Sequence, residues 1–200
     1  MAESVRASVI YYSSTGNVYQ LARAAVAGAE KAGAEVRLRK ARELAPESAI
    51  NSNEAWAANV RDTADVAEAT LDDLEWADVV IFGTPTRYGN VPSQLQQFID
   101  TTGPLWSQGK LANKVYTAFV STSTAHGGQE STLLSLATTF YHWGGIIVPP
   151  GYTDPIQFQL GNPYGASHVS AGGPPGETEL DAAQYQARRA VELAAAIKAS

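Results

Sequence analysis

Apolar residues form two kinds of pattern, which follow one another in turn along the chain. Continuous apolar runs predict strands buried on both faces of a parallel sheet, and residues at helical spacing predict amphipathic helices between them. The order of elements, β-α-β-excursion-β-α-β-α-β-excursion-α, predicts an α/β fold: a doubly wound sheet of five parallel strands with helices on both faces. The strands are predicted at 5–12, 35–39, 78–84, 115–120 and 145–148, with 35–39 at an edge because charged residues alternate there with apolar ones.

Sequence signals also mark the ends of two helices. The first helix follows the first strand and is predicted to end at Gly33. The last helix is predicted to open at Thr178, because Asp181 stands three residues later in a spacing like that of a capping box. Its apolar positions recur at helical spacing up to Ile197, which is therefore predicted to be buried.

Two long segments interrupt the pattern, at 45–69 and at 149–176. Neither has a clear period, apart from a short helix predicted around 56–60. Loops of this length inside a compact domain are usually functional or interfacial. We therefore interpret the chain as one domain over 1–200 that carries two excursions.

The loop between the first strand and the first helix carries hydroxyl groups in place of charge. It contains Ser13, Ser14 and Thr15, and no Lys or Arg lies between Tyr12 and Asn17. The first N–H groups of a helix have no partner within the helix, and a phosphate supplies acceptors for them. The glycine patterns of a P-loop and of a dinucleotide-binding loop are absent, so a mononucleotide phosphate is favoured. The alternative is an ordinary helix-capping turn.

A second candidate loop follows the third strand, over 84–92. Ligands of open parallel sheets bind beyond the carboxyl ends of the strands, so a ring attached to the phosphate is expected here. Arg87 and Tyr88 can cover a planar ring by stacking and hydrogen bonds, and Gly89 permits a close backbone approach. The alternative for Arg87 is a solvated position on a surface turn.

Trp106 and two histidines are further candidates for contact with a substrate or for catalysis. Trp106 stands in a Gly/Pro-rich loop at 101–110, where it either stacks on a flat substrate or packs on a partner subunit. His126 lies in a hydroxyl and glycine loop at 121–130, and His142 follows the next helix. Either histidine can transfer protons near neutral pH or act as a structural hydrogen-bonding residue. No two histidines have a metal-ligand spacing, so no metal site is predicted.

Composition narrows the possible partners. The chain has 200 residues, no cysteine and a net charge of −6. Nucleic acid is not expected as a partner, because phosphate backbones require a basic face, and thiol catalysis and disulfides are excluded. No apolar run approaches the length of a membrane span, and the N-terminus lacks the pattern of a signal peptide. We therefore expect a cytoplasmic protein.

Four motifs occur in a fixed order along the chain. They are Tyr-Tyr-Ser-x-x-Gly-Asn at 11–17, Phe-Gly-Thr-Pro-Thr-Arg-Tyr-Gly-Asn at 82–90, Ser-Thr-x-x-x-His-Gly-Gly-Gln-Glu at 121–130 and Pro-Tyr-Gly-Ala at 163–166. With them the chain resembles the WrbA family, which are flavodoxin-like NAD(P)H:quinone oxidoreductases of type IV. The resemblance covers essentially the full length, including both excursions, and the second and third motifs are its specific part.

The resemblance implies a flavodoxin-like strand order of 2-1-3-4-5 and noncovalently bound FMN. It implies that NADH or NADPH delivers hydride to flavin N5 and that a quinone then takes two electrons at the same site, in a ping-pong reaction. It further implies a homotetramer with shared sites, in which His126 and His142 serve catalysis while Trp106 and Tyr88 contact substrate. The residues expected to bind FMN are Ser13, Ser14, Thr15, Gly16, Asn17, Val18, Thr84, Pro85, Thr86, Arg87, Tyr88, Gly89, Asn90, Ser121, Thr122, Ser123, Thr124, Ala125, His126 and His142.

Two other functions are compatible with the same sequence. One is a one-electron carrier of the flavodoxin type, which needs an acidic docking face; the two excursions and Trp106 make it the less favoured interpretation. The other is a non-enzymatic interaction protein that keeps the fold for assembly.

Overall fold

A parallel sheet forms the centre of the computed structural model, which describes residues 4–199. The strand order β2-β1-β3-β4-β5 confirms the predicted order 2-1-3-4-5. The first, third and fourth strands are buried along almost their whole length, whereas the second is only partly buried, as expected of an edge strand. The strands are β1 (Arg6–Tyr11), β2 (Glu35–Lys40), β3 (Val79–Pro85), β4 (Val115–Thr122), β5 (Ile146–Ile147) and β6 (Ser167–Val169).

Two short strands share the outer position beside β4. The start of β4, at Val115 and Tyr116, pairs in parallel with β5, and its end, from Val120 to Thr122, pairs in parallel with β6. The second excursion leaves the sheet after β5 and returns to it as β6. Within residues 4–199 the sheet therefore has six strands, one more than the sequence predicted, and the additional strand borders the carboxyl end of β4.

Helices cover both faces of the sheet, as predicted. They are α1 (Asn17–Lys31), α2 (Glu47–Asn51), α3 (Glu54–Asp62), α4 (Leu71–Trp76), α5 (Ser93–Asp100), α6 (Gly103–Ser107), α7 (Gln129–His142), α8 (Pro155–Leu160) and α9 (Glu177–Lys198). No helix within residues 4–199 combines the length and the apolar composition needed to cross a membrane.

Each face of the sheet has its own hydrophobic core. On one face α1 and α9 pack so closely that a Cβ atom at Gly28 would lie 2.1 Å from the carbonyl oxygen of Gln184. The opposite face packs against α4, α5 and α7, which bury Leu74, Leu95 and Phe140. These two cores hold the parallel strands together and so fix the edge at which their carboxyl ends meet.

Several segments predicted as loops contain short helices. The first excursion holds α2 and α3, and α3 includes the helix predicted around 56–60. Trp106 lies in α6 instead of an open Gly/Pro loop, because Pro104 occupies the first helical turn, where its missing N–H costs no hydrogen bond. Helices of five or six residues are too short to show a periodic pattern, which is why the sequence did not reveal them.

The last helix differs from its prediction at both ends. It begins at Glu177, and the backbone N–H of Gly176 donates to the Glu179 carboxylate at 3.1 Å, so Glu179 caps the helix and Asp181 does not. At the other end, Ile197 is 44% exposed, because the helix continues beyond Ala194, its last buried residue.

Candidate active site

A cleft of about 260 Å³ opens at the carboxyl ends of β1, β3 and β4. It lies there because the three strands are in parallel register, with Tyr11 opposite Gly83 and Pro85 opposite Ser121. Three loops that are distant in sequence therefore meet at one edge. The lining residues are Ser13, Ser14, Thr15, Asn17, Val18, Pro85, Thr86, Arg87, Ser121, Thr122, Ser123 and Ser170.

The start of α1 forms one end of the cleft. Gly16, which precedes the helix, has a φ angle of 91°, a left-handed conformation that glycine adopts without steric cost. Its N–H donates to Ser13 Oγ at 3.1 Å, which closes the turn. The hydroxyl-bearing residues Ser14 and Thr15 line the cleft beside the first residues of α1, whose N–H groups have no acceptor within the helix. This end of the cleft is suited to an anion.

Arg87 brings a positive charge to this anion site from the neighbouring loop. Its Nη2 atom lies 3.4 Å from Ser14 Oγ, and its Nη1 atom donates to the carbonyl of Thr86 at 2.9 Å. The loop after β1 has no cation of its own. The tertiary structure therefore supplies the charge that the local sequence lacks.

Backbone contacts hold the loops after β3 and β4 against each other. The N–H of Thr86 donates to the carbonyl of Ser121 at 3.0 Å, which joins the two loops. Within the loop after β3, Thr86 Oγ1 accepts from the N–H of Gly89 at 3.0 Å. A Cβ atom at Gly128 would lie only 2.6 Å from Gly89 Cα, so the two loops touch through their main chains. The Tyr88 side chain, next to Gly89 in the sequence, is 100% exposed. Main-chain contacts therefore hold this wall of the cleft together, and the Tyr88 side chain is accessible to solvent.

Comparison with known proteins places the chain in a family. Residues 6–156 match the family described as NADPH-dependent FMN reductase. The chain belongs to this family. It is 48% identical to a Deinococcus radiodurans protein named NAD(P)H dehydrogenase (quinone), over 98% of each chain. It is also 40% identical to a protein of the same name from Aromatoleum aromaticum, over 96% of this chain and 97% of that protein.

Solved structures confirm the fold of this FMN reductase family member. A WrbA-like flavodoxin from Agrobacterium tumefaciens is similar with a TM-score of 0.67 and 23% identity, over 96% of this chain and 98% of that chain. A flavodoxin from the domain Archaea is similar with a TM-score of 0.61 and 17% identity, over 95% and 99% of the two chains. The resemblance and the flavodoxin-like fold predicted from the motifs are both confirmed.

The donors in the cleft suit the single terminal phosphate of FMN, the flavin that the family description names. Hydroxyl groups, helix N–H groups and one guanidinium meet at the α1 end, and all of them can donate to phosphate oxygens. The rest of the cleft runs between 85–87 and 121–123, where the sequence predicted the flavin ring. The residues present therefore fit the cofactor.

The first excursion supports the hydroxyl loop at 13–16 from behind. Asn59 of α3 is buried, and its Nδ2 atom donates to the carbonyl of Ser13 at 2.8 Å. This bond ties α3 to the loop that precedes α1. Sequence reasoning did not find Asn59, because a single amide in a segment without a period carries no distinguishing signal.

Glu43 joins three elements beneath the same loop. It lies between β2 and α2, and its carboxylate is partly buried. Burial by itself would raise the pKa of Glu43, but hydrogen bonds to the ionised form hold the pKa below its ordinary value. The donors are the N–H groups of Ala45 and Leu44, Gln94 Nε2 and Tyr12 Oη, each at 2.9 Å, and Trp56 Nε1 at 3.0 Å.

The second excursion contributes a histidine that sequence reasoning left without a role. His168 in β6 is 2% exposed, and burial lowers its pKa below the ordinary value. Its ring lies behind Ser121, with Nδ1 2.9 Å from Ser121 Oγ. Ser170, two residues later, lines the cleft itself. The motif at 163–166 shortly precedes both residues, so it was the one sequence feature that could have pointed to them.

The structure does not bring His142 and Trp106 to the cleft of the same chain. The helix α7 begins next to the loop at 121–128 and ends at His142, about 20 Å away for a helix of 14 residues. Trp106 Nε1 donates to the carbonyl of His142 at 2.9 Å, so the two residues lie together at the distant end. His126 is exposed on the cleft's loop and does not line the cleft.

The remaining predicted cofactor residues lie in the three loops or, for Thr84, at the end of β3, without lining the cleft. Gly16, Thr84, Gly89 and Asn90 shape the backbone, with Thr84 fully buried and Asn90 exchanging two backbone hydrogen bonds with Arg87. Thr124 and Ala125 are exposed beside His126.

We predict that the hydroxyl groups of Ser14 and Thr15 bind the phosphate of FMN. The double variant Ser14→Ala/Thr15→Val should bind FMN at least about tenfold more weakly, because hydrogen bonds to a charged group are lost. Its affinity for riboflavin, which has no phosphate, should be unchanged; both affinities are measured by quenching of flavin fluorescence. The control Thr138→Val removes an exposed hydroxyl on α7. A parallel loss of riboflavin binding would show that the loop has instead been distorted.

We predict that Glu43→Gln lowers the free energy of unfolding by about 1–3 kcal/mol at neutral pH, since an amide cannot accept all of the hydrogen bonds. The pKa of Glu43 is lowered in the folded state, so the carboxylate stabilises the protein above its ordinary pKa of 4.5. That contribution is lost as the pH falls through the folded-state pKa. Urea denaturation should therefore show the two proteins converging below about pH 4.5.

The exposed residue Glu35, on the edge strand, provides the control for this comparison. Glu35→Gln should change the free energy of unfolding by less than about 0.5 kcal/mol at every pH. If the free energy of unfolding of Glu43→Gln stayed below that of the original protein by the same amount down to acid pH, the role given to the ionised carboxylate would be contradicted.

Proposed function

We propose that the protein reduces quinones to hydroquinones by two electrons, with NADH or NADPH as reductant and FMN as cofactor. Its family, and relatives named NAD(P)H dehydrogenase (quinone) at 48% and 40% identity, make it an FMN-dependent oxidoreductase, as predicted from the sequence. The observation that supports two-electron quinone reduction with bound FMN is the shape and chemistry of the cleft. It combines an anion site at α1 with a polar slot between two rigid loops.

In this proposal the side chains of the cleft bind FMN and orient it. Ser14, Thr15 and Arg87 hold the phosphate end, while the main chains at 85–87 and 121–123 border the ring. Bound there, FMN would supply the redox chemistry of the proposed reaction, which is hydride acceptance at N5 from a nicotinamide and two-electron transfer to a quinone in a second half-reaction. No side chain of the cleft needs to act as a nucleophile.

Protons for the quinone oxygens come from solvent or from a histidine in this proposal. His126 is the nearer candidate within one chain, because it lies on the loop that borders the cleft. His142 takes part only where a second subunit brings the distant end of α7 to the cleft. An imidazole near neutral pH can both donate and accept a proton, which suits this role.

An anaerobic titration tests the proposed reaction. The FMN-loaded protein is mixed with NADH or NADPH while the flavin absorbance is followed, and benzoquinone is then added. We expect complete bleaching without the absorbance of one-electron reduced flavin, followed by full recovery of the oxidised spectrum. The faster nucleotide is the preferred reductant. Slow bleaching by both nucleotides would instead favour the one-electron carrier.

We further propose that the protein is a homotetramer in which neighbouring subunits complete the cleft. Apolar side chains at the distant end of α7 are exposed, with Trp106 at 56% and Tyr141 at 72%. Exposed aromatic residues of this size are typical of interfaces. A second subunit placed there would bring Trp106 and His142 next to a bound ring.

We predict that Trp106→Ala raises the KM for quinone several-fold and leaves the affinity for FMN unchanged, because stacking with a flat substrate is lost. Steady-state kinetics and FMN titration measure the two effects, and light scattering measures the oligomeric state. The control Leu44→Ala removes an apolar side chain that is 46% exposed at another place. Unchanged quinone kinetics in a tetrameric Trp106→Ala protein would remove Trp106 from the site.

A further inference from the structure

His168 is buried directly behind a residue that lines the cleft. Both of its ring nitrogens are within hydrogen-bond distance of a partner: Nδ1 lies 2.9 Å from Ser121 Oγ, and Nε2 lies 2.9 Å from the carbonyl oxygen of Gly173. The two partners belong to different segments, since Ser121 ends β4 and Gly173 follows β6. The arrangement leaves the imidazole little freedom to turn.

The partners determine where the protons lie. A carbonyl oxygen can only accept, so Nε2 must carry a hydrogen. In a neutral imidazole Nδ1 is then an acceptor, and the hydrogen of the Ser121 hydroxyl must point towards it. Burial favours this neutral form, while the charge of Glu179, at the start of α9, acts in the opposite sense. Ser121 and Thr122, which face His168 from β4, do not titrate.

The orientation of that hydrogen changes what the cleft offers to a ligand. Ser121 lines the cleft, and with its only hydrogen committed to His168, its Oγ atom can act there only as an acceptor. FMN has donors of its own in the ribityl hydroxyls and one ring N–H. If His168 gained a proton, Nδ1 would become a donor, and the Ser121 hydroxyl would be free to donate into the cleft.

We propose that His168 is a positioning residue that holds Ser121 as a hydrogen-bond acceptor for a donor group of the bound flavin. Protonation of His168 reverses the polarity of Ser121 and weakens flavin binding. The inference requires flavin binding, and it does not require turnover with NAD(P)H or quinone. Its tests therefore succeed or fail independently of the proposed reaction.

The first test is a direct measurement of the tautomer. The chain has three histidines, so nitrogen-15 NMR of the imidazoles gives three sets of signals, and His126→Gln and His142→Gln assign them by elimination. We expect His168 in the neutral form with hydrogen on Nε2 and none on Nδ1. A hydrogen on Nδ1 at neutral pH would overturn the proposal, because Ser121 would then already be free to donate.

The second test compares two variants that each keep part of the imidazole's polar character. His168→Asn places an amide oxygen where Nδ1 stood and keeps an acceptor for Ser121, while His168→Gln reaches towards Gly173 and leaves Ser121 without one. Riboflavin affinity should stay within about twofold of the original protein in His168→Asn and fall by about three- to tenfold in His168→Gln. Equal losses in both variants would reduce His168 to a structural role and overturn the proposal.

The third test follows riboflavin affinity across the pH range in which the His168 signals titrate. Riboflavin is used because it lacks the phosphate, whose own ionisation would obscure the result. The affinity of the original protein should fall several-fold as His168 gains its proton, and that of His168→Asn should not. A pH profile shared by both proteins would overturn the proposed reversal at Ser121.

Discussion

The candidate active site depends on the parallel pairing of β1, β3 and β4. Strands that run in one direction and in register end at one edge, so each following loop opens onto the same space. Two separate hydrophobic cores, one on each face, hold that pairing in place. The hydroxyl loop, Arg87 and Ser121 come from distant parts of the chain, and this strand register brings them to one cleft.

The two excursions support this edge from both sides. From the first excursion, Asn59 donates a hydrogen bond to the main chain of the hydroxyl loop and Trp56 donates one to Glu43. The second rejoins the sheet as β6, where it places His168 behind Ser121 and Ser170 in the wall of the cleft. Ordering long loops costs conformational entropy, and their buried hydrogen bonds and strand pairing offset that cost. The excursions therefore belong to the site although they lack any periodic signal.

The local charge of the cleft differs from the charge of the whole chain. The net charge is −6, and the loop that holds the anion site contains no cation. The main chain around Arg87 is fixed by two hydrogen bonds with Asn90, and this turn directs the guanidinium towards Ser14. A single arginine, placed by this turn, thus brings a positive charge to one end of the cleft of an acidic protein.

The strand order followed from the resemblance to a known family. The sequence by itself determined the succession of the five predicted strands along the chain, the hydroxyl loop and the family. Each of these is encoded locally, in apolar periods or in short motifs. Only the tertiary structure decided that β6 joins the sheet, that Arg87 meets Ser14, that His168 lies behind Ser121, and that Trp106 and His142 lie about 20 Å from the cleft of their own chain. These are contacts between segments far apart in sequence, in elements too short to have a period, so no local pattern could specify them.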